Sequence, residues 1–421
     1  MSGCNGWLQP GAGPGHTRFN PDENRLTPAN VGSLSPSWSV EVPEGLSEPI
    51  VSGNRVYVTH LDVGPSSSVG ARAYDLASGS LSWDATLASG LGSPDATPVA
   101  FSGNELWLAH RNAAAGFDLA RLDPASGDVV GSEPIGTTSW PFVTAEGRVA
   151  HVYTDDSQDV TLTLAVRDRA SSATLWTHDF PPPVAPPPGG EITFSTPTPT
   201  MADGKVYVVV GSTLHAFAAA GCGASQCAPL WTSPLLGWNQ PPVAADGRVF
   251  VVSSRSYEYR GGRYATGQLD VYDGAEGSLL WSETYRGANV VSNGGISDVA
   301  VAGDSVYVSG YRDLPPNGRE HTLTAYAAGG CEGNPCPLWT APAPGGALAV
   351  GGGVVYVGDR VSDTSAVRAF AADGCAAATC DPLATVPVPG QLSYVTVAHG
   401  RLVVGSALAD GRSRLTAFAA H

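Results

Sequence analysis

The chain has 421 residues, of which 43% are hydrophobic, and a formal net charge of −16. It contains no run of about 18 apolar residues, so the sequence predicts no membrane-spanning helix. So large a negative charge repels phosphate backbones, and we expect no binding to nucleic acid.

The predicted strands recur as one unit along the chain. An apolar run of the Val-Tyr-Val type follows a Gly- or Asp-containing turn eight times, and its first apolar residue is Val56, Leu106, Val149, Val206, Val249, Val306, Val355 and Leu402. Repeats of this length are typical of propellers and solenoids. Apolar residues alternate with small or polar ones in four runs per repeat, and no helix is predicted. The pattern predicts an all-β fold, a single eight-bladed β-propeller of four-stranded antiparallel blades.

The two ends of the chain complement each other. Residues 1–33 are polar and rich in Gly and Pro, and we expect an extended lead-in. Residues 34–42 match the closing strand of a repeat, whereas the last repeat lacks that strand. We therefore predict that residues 34–42 complete the last blade and that the propeller spans residues 34–421, because closure removes exposed sheet edges.

A turn signature precedes the closing strand of several repeats. Asp75, Gly79 and Trp83 lie four residues apart, and the spacing recurs at Asp273, Gly277 and Trp281. The Asp side chain caps the turn and Gly takes the positive-φ position. We expect the Trp column, which includes Trp38, Trp176, Trp231 and Trp339, to pack between blades. The alternative is that these rings bind a ligand.

Six of the seven cysteines form three pairs with four intervening residues. The pairs are Cys222 and Cys227, Cys331 and Cys336, and Cys375 and Cys380. Disulfides are favoured over zinc, which needs four ligands. They indicate an oxidising compartment and contribute about 2 kcal/mol each. The remaining Cys4 follows Ser-Gly, so it is either a lipidated cysteine at the cell surface or an unpaired one.

Segments between blades should converge on one axial mouth of the ring. They carry the candidate ligand-binding residues Glu48, Asp95, Trp140, Trp238, Asn239, Gln240, Asn293 and Tyr394, and a looser candidate, Asp298, follows Asn293. Clefts of this kind are common ligand sites. The alternative is that these side chains bond to one another and to water.

Two long hairpins carry a second set of candidates. The segments 255–264 and 311–321 contribute Tyr257, Tyr259, Arg260, Arg263 and Arg312. With Trp140 and Trp238 as an aromatic floor, they predict a positive rim for an anionic or polyhydroxylated ligand, a saccharide or a protein. The alternative is a solvated hairpin with internal pairs such as Glu258 with Arg260. His60 and His110, on adjacent repeats, either share a metal or a proton or are structural.

The pattern Ala-x-Asp-x-x-Ser-Gly-x-x-x-Trp at residues 73–83, in an eight-repeat ring, resembles the quinoprotein-like β-propellers, a WD40-like architecture. That family includes quinoprotein alcohol dehydrogenases and an outer-membrane assembly lipoprotein, and the lead-in at 13–34 is similar to that of secreted actinobacterial members. Its catalytic members use pyrroloquinoline quinone (PQQ) with calcium and a vicinal Cys-Cys pair. No such pair occurs here, and only Glu48, Asn293 and Asp298 are loose matches to the calcium ligands.

We therefore expect a monomeric, extracytoplasmic propeller that binds a ligand or partner at the axial mouth, with no cofactor and no redox chemistry. One alternative is an enzyme at the same mouth, either a recruited biosynthetic catalyst or a quinone-dependent dehydrogenase. Another is a structural scaffold for protein assembly. A carboxylate with a raised pKa in the mouth would favour the enzyme.

Overall fold

The computed structural model describes residues 6–42, 45–62, 67–91, 95–114, 116–139, 141–154, 161–181, 197–259, 262–287, 295–314, 318–343, 345–358 and 364–421. Eight antiparallel sheets form the blades of a propeller around a central channel, as predicted. Among the described residues there is no α-helix, and the helical structure is of the 3-10 type, as at Val31–Ser33. No helix among them is long and apolar enough to span a bilayer.

The first half of the chain provides three N-terminal strands and blades 1 to 4. The N-terminal strands are β1 (Gly6–Trp7), β2 (Phe19–Asn20) and β3 (Ser35–Val42). Blade 1 contains β4 (Ile50–Ser52), β5 (Arg55–Asp62), β6 (Ser68–Asp75) and β7 (Leu81–Ser89). Blade 2 contains β8 (Ala100–Ser102), β9 (Glu105–Arg111), β10 (Phe117–Leu122) and β11 (Val129–Gly136). Blade 3 contains β12 (Thr138–Ser139), β13 (Val143–Ala145), β14 (Arg148–Thr154), β15 (Leu162–Asp168) and β16 (Thr174–Phe180). Blade 4 contains β17 (Thr200–Ala202), β18 (Lys205–Val210), β19 (Thr213–Ala218) and β20 (Trp231–Pro234).

The second half provides blades 5 to 8. Blade 5 contains β21 (Trp238–Asn239), β22 (Val243–Ala245), β23 (Arg248–Tyr259), β24 (Gly262–Asp273) and β25 (Leu279–Gly287). Blade 6 contains β26 (Ile296–Ala302), β27 (Ser305–Leu314), β28 (Gly318–Ala327) and β29 (Pro337–Pro342). Blade 7 contains β30 (Leu348–Gly351), β31 (Val354–Gly358), β32 (Thr364–Ala371) and β33 (Ala384–Pro389). Blade 8 contains β34 (Gln391–Ala398), β35 (Arg401–Ala407) and β36 (Ser413–Ala419).

The ring closes through the N-terminal strand β3. This strand pairs antiparallel with β36, and Trp38 lies opposite Ala417. Blade 8 thus takes its fourth strand from the start of the chain, which confirms the predicted closure. Because each blade is packed between two others, the second strands are buried on both faces, as at the neighbouring residues Val56 and Tyr57, which point to opposite faces and are both buried.

A tryptophan of the outermost strand joins each of six blades to the next. Trp176 donates its Nε1–H to the carbonyl of Ala219, at 3.2 Å. Its ring lies so close to Gly221 that a Cβ there would be 2.6 Å from Cδ1. The same bond joins Trp38 to Leu76, Trp83 to Pro124, Trp231 to Gly274, Trp281 to Ala328 and Trp339 to Ala372. These rings pack between blades, as predicted.

The turns before these strands have the predicted chemistry. Asp75 Oδ1 accepts the N–H groups of Ala77 at 3.1 Å and Ser78 at 2.8 Å. Gly79 has φ 73°. Where Ser172 replaces the glycine, φ is 59°, so the turn keeps its left-handed residue.

Three disulfides link Cys222 to Cys227, Cys331 to Cys336 and Cys375 to Cys380. Each closes the connection between the third and fourth strands of its blade. The loop of blade 4 also pairs with β16 of blade 3, because Thr177 N–H donates to Ser225 O at 2.8 Å and Cys227 N–H to Thr177 O at 2.9 Å. The loop of blade 7 pairs with β29 in the same way, through Thr340. Both loops therefore cover the outer sheet edge of the preceding blade.

Candidate functional site

Residues 6–26, the strap, run around the channel and contact the innermost strand of every blade. In blade 1, Trp7 pairs with Val51. Val51 lies five residues before Val56, and the residue at that position is the contact in every other blade. The bonds are Phe101 N–H to Leu8 O (2.7 Å), Thr144 N–H to Gln9 Oε1 (2.9 Å), Met201 N–H to Pro14 O (2.8 Å), Ala244 N–H to Gly15 O (2.9 Å), Val301 N–H to Thr17 O (2.8 Å), Val350 N–H to Arg18 O (2.8 Å) and Asn20 Nδ2–H to Val397 O (2.9 Å).

The middle of the strap has a tight and strained backbone. Arg18 N–H donates to Gly11 O at 2.8 Å, which closes a loop across the channel. Ala12, His16 and Arg18 have φ of 76°, 52° and 55°, in the left-handed region that non-glycine residues seldom adopt. Such strain persists only where the surroundings enforce it, and it is frequent at functional sites.

An axial cavity of about 200 Å³ lies above the strap, at the mouth where the inter-blade segments converge. The strap supplies the floor, including His16 and Arg18. Most of the wall is apolar, formed by prolines, valines and phenylalanines such as Phe142, Phe250 and Val299. The site therefore combines a polar floor with apolar sides, which is typical of small-molecule pockets.

Two carboxylates from distant blades hold the floor in place. Asp298 Oδ1 accepts Arg18 Nε–H at 2.7 Å, and its Oδ2 accepts the N–H of Leu348 at 2.9 Å. Glu48 Oε1 accepts Trp7 Nε1–H at 2.9 Å and Gly11 N–H at 2.8 Å. Glu48 Oε2 lies 3.8 Å from Arg18 Nη1. Both carboxylates thus anchor the strap as well as line the cavity.

Burial shifts the pKa of two of these groups. Burial raises the pKa of Glu48 above its ordinary value, although Arg18 and the Gly11 and Trp7 donors oppose the shift. Burial, and then the nearby charge of Arg18, lower the pKa of His16 to about 4. At neutral pH the imidazole of His16 is therefore uncharged, and its Nδ1 lies 3.1 Å from Thr200 Oγ1.

The sequence was compared with models of protein families. The model described as outer membrane protein assembly factor BamB matches residues 21–152 and 161–314, which is more than half of the chain. The chain belongs to the BamB family. The matched residues run from the strap into blade 6. A comparison with curated protein sequences finds no match.

Solved structures similar to this BamB-family chain include enzymes and proteins of other kinds. Quinohemoprotein alcohol dehydrogenase ADHIIG of Pseudomonas putida HK5 has a TM-score of 0.63 and 14% identity, over 99% of this chain and 80% of that one. The quinohemoprotein alcohol dehydrogenase of Comamonas testosteroni has a TM-score of 0.62 and 14% identity, over 98% of this chain and 80% of that one. Sqt1 of Saccharomyces cerevisiae has a TM-score of 0.52 and 10% identity, over 94% of this chain and 99% of that one. Identities this low show the fold alone.

In this BamB-family ring, three predicted site residues line the axial cavity: Glu48, Gln240 and Asp298. Three others lie outside its lining. The buried amide of Asn239 bonds to the carbonyls of Gly211 and Gly237 and to Ser253 Oγ. Asp95 is exposed, and Tyr394 is half-buried.

The remaining candidates are only partly described. Trp140, Asn293 and Arg260 lie outside the described residues, as does Cys4. For Trp238, Tyr257, Tyr259, Arg263 and Arg312 the structure describes the backbone alone. It places Tyr257 opposite Tyr264, and Glu258 opposite Arg263, in the β23–β24 hairpin.

The two candidate histidines lie on the second strands of blades 1 and 2. His60 Nε2 is 3.2 Å from Asp84 Oδ1, and burial lowers its pKa. His110 Nδ1 lies 3.0 Å from the carbonyl of Arg111. Within the described part of the chain, no three His, Cys, Asp or Glu side chains come together as a metal site requires.

The sequence analysis missed the residues of the strap that face the cavity. His16 and Arg18 lie in the lead-in, which follows no repeat and so gave no positional expectation. One signal was available, because His16-Thr-Arg18 places two basic residues together in a chain of net charge −16.

Proposed function

We propose that this protein binds a compact, ring-sized ligand with a neutral hydrogen-bonding head in the axial cavity, outside the cytoplasm and without redox chemistry. The observation that carries the proposal is a cavity of about 200 Å³ with apolar walls above the guanidinium of Arg18. An engineered apolar cavity of about 150 Å³ binds benzene. The volume therefore suits a single ring with a small polar substituent.

Arg18 supports recognition of an acceptor group. Its side chain is 28% exposed, and a guanidinium has five N–H donors. Asp298 takes Nε–H, whereas Glu48 at 3.8 Å is beyond hydrogen-bond distance. Donors of Arg18 are thus left for a carbonyl or hydroxyl oxygen of the ligand.

Charge supports a neutral head over an anionic one. The lining carries Arg18, Glu48 and Asp298, while His16 is neutral near pH 7 because its pKa is about 4. Two carboxylates outweigh one guanidinium unless Glu48 binds a proton. An anion would therefore bind with proton uptake, which Glu48 with its raised pKa is suited to provide.

Two features argue against a bound quinone. The cavity is smaller than the pockets of about 300 Å³ and above that hold drug-sized ligands, and PQQ is a tricyclic tricarboxylate. The oxygens of Glu48 and Asp298 already accept hydrogen bonds from the strap and from β30. These lining residues do not fit PQQ with calcium, and we expect no dye-linked alcohol or sugar oxidation when both are added.

Three size-matched probes test the cavity: benzamide, benzoate and benzylamine, with ligand-observed NMR as the measurement. We expect benzamide to bind most tightly, and benzoate to gain affinity as the pH falls. Gln240→Leu removes a polar lining group and should weaken the binding of benzamide by about 1 kcal/mol. The control Gln391→Leu changes an exposed glutamine outside the lining. Equal binding of all three probes, or an equal effect of both variants, would contradict the proposal.

A second candidate function is acid–base catalysis at the same cavity. The buried Glu48 with its raised pKa favours it, because active sites often hold such carboxyls. Substrate depletion from a mixture of small metabolites should then be abolished by Glu48→Gln and retained in Gln391→Leu. Depletion that survives Glu48→Gln would remove this candidate.

The long hairpin of blade 5 is a separate part of the proposal. Phe250 and Val252 of β23 line the cavity, and the strand continues to Tyr259. A straight strand would carry Tyr259 about 23 Å beyond Val252. A ring-sized ligand does not reach both, so we propose that Arg260 and Arg263 contact a larger saccharide or protein partner. Replacing both by Ala should weaken the binding of that partner by about 1–3 kcal/mol and leave the melting temperature and the binding of benzamide unchanged.

The proposed compartment is supported by the three disulfides, which persist in oxidising environments. A lipid anchor at Cys4, a monomeric state and the lack of nucleic-acid binding remain predictions. Mass spectrometry of the intact secreted protein tests the first, since a lipidated Cys4 would carry the added mass of its acyl chains.

A further inference from the structure

We propose that a second cavity, at the end of the channel opposite the axial cavity, binds a compact oxyanion group such as phosphate, sulfate or carboxylate. It has a volume of about 410 Å³. Its lining contains the polar residues Arg25, Asn54, His399 and Arg401, the nonpolar residues Gly53, Leu76 and Ala77, and no carboxylate. Such a lining is notable in a chain of net charge −16, where acidic residues outnumber basic ones by 38 to 22.

The position of this cavity follows from the course of the innermost strands. They start at the axial mouth and end in the turns that contain Asn54 in blade 1 and His399 in blade 8. The cavity lies between these two turns, under the end of the strap. It therefore shares no lining residue with the axial cavity.

The strap holds Arg25 at the edge of this cavity. Glu23 Oε1 accepts the N–H of Arg25 at 2.7 Å, and Oε2 accepts the N–H of Gly400 at 2.8 Å. The Arg25 stem lies over Gly400, where an added Cβ would be 3.1 Å from both Cβ and Cδ of Arg25. A packed stem limits the conformations of the side chain, which favours a fixed anion-binding geometry.

Arg401 lines the cavity from blade 8. Its Nη1–H donates to Gly400 O at 3.3 Å, and its Nε is buried without a hydrogen-bond partner. Neither Arg401 nor Arg25 forms an ion pair with a carboxylate of the described residues. The charge of these guanidinium groups is thus not offset by a described carboxylate, and an oxyanion would offset it. Guanidinium pairs with oxyanions are charge-assisted and frequently bidentate.

The two nearby carboxylates, of Asp22 and Glu23, do not line the larger cavity. A smaller cavity of about 150 Å³ adjoins the first, shares Arg25 and His399 with it, and contains Asp22 and Glu23. The oxygens of Glu23 accept three backbone N–H groups, from Arg25, Leu26 and Gly400. Asp22 is exposed and lies on the other side of Arg25. The two guanidinium groups therefore remain for a ligand.

Calorimetry at low ionic strength tests the site with two probes, inorganic phosphate and vesicles that contain an anionic phospholipid. We expect saturable binding of at least one probe, weakened about tenfold or more by the double variant Arg25→Gln and Arg401→Gln. Arg248→Gln is the matched control, because Arg248 starts the second strand of blade 5 as Arg401 starts that of blade 8. The control should bind like the wild type.

The two probes distinguish the source of the oxyanion. Loss of phosphate binding in the double variant identifies a free or small-molecule anion, whereas loss of vesicle binding alone identifies a lipid headgroup, and both support the site. Absence of saturable binding of either probe, or equal binding by the double variant with an unchanged melting temperature, would overturn it. If the double variant unfolds, the single variants Arg25→Gln and Arg401→Gln are compared instead. The axial-cavity variant Gln240→Leu should not change these results, so this proposal fails or survives independently of the proposed function.

Discussion

The ring is held together in two different ways, at its rim and at its axis. At the rim, each Trp bonds only to the turn of the next blade, as Trp176 does to Ala219. At the axis, the strap bonds to all eight innermost strands. A rim contact therefore stabilises the interface between two neighbouring blades, whereas the strap connects all the blades. The loss of one rim contact should destabilise two blades, and the loss of one axial contact should destabilise several.

Deletion of residues 34–42 should have the largest effect. It removes β3 and exposes the backbone groups of β36, a ready template for aggregation. We expect aggregation or the loss of cooperative unfolding, followed by size-exclusion chromatography and calorimetry. A truncated chain that stays monomeric with an unchanged melting curve would show that the ring does not depend on this strand.

Asp298→Ala tests the axis. It leaves Arg18 and the N–H of Leu348 without their carboxylate, and breaking such a largely buried pair costs about 3 kcal/mol. Hydrogen exchange should show faster exchange at the strap contacts of several blades, such as Met201 and Val350. The control Asp410→Ala breaks an exposed pair with Arg412 and should have little effect.

Trp176→Ala tests the rim. Loss of this fully buried ring should cost about 3 kcal/mol, close to the expected effect at the axis. Faster hydrogen exchange should be confined to blades 3 and 4. If it spreads to the strap contacts of blades 7 and 8, rim and axis do not differ in reach.

Removal of a disulfide should have a smaller effect. Replacing Cys222 and Cys227 by Ser should cost about 2 kcal/mol and loosen the pairing at Thr177. The loop of Cys331 and Cys336 has no such pairing among the described backbone bonds, so its removal should cost less. Before any replacement, the unreduced chain should be about 6 Da lighter than the reduced one.

The last expected effect is a pH dependence from His151, which is absent near pH 7 and similar in size to the loss of a disulfide at pH 5. Burial and then the charge of Arg167 lower the pKa of His151 from 6.5 to about 3. The stability that this neutral ring contributes is complete above pH 6.5 and falls as the pH drops towards 3, by about 1.4 kcal/mol per unit. Urea unfolding at pH 7, 6 and 5 gives the free energy of unfolding at each pH. This free energy should fall less steeply with decreasing pH in His151→Gln than in the exposed control His421→Gln. Equal slopes would contradict the shift.

The rim could be predicted from the sequence and the axis could not. Trp83 and Trp281 have the same spacing to Asp and Gly in their repeats, so pattern alone places them in one column. The strap follows no repeat, and most of its bonds use backbone atoms, which every residue type provides. Arg18 was therefore missed, although its partner Glu48 was found from its place between blades and its partner Asp298 as a loose match to a calcium ligand.

The course of the strap also determines when during synthesis and folding its contacts can form. The strap leaves the ribosome before any of the blades, yet Asn20 bonds to a residue 377 positions later and Glu23 to Gly400. Such distant contacts slow folding, because the chain must close long loops before any bond forms. A segment made before all eight blades is thus among the last to find all its partners. In the interval its backbone groups are open to water, to chaperones and to other chains.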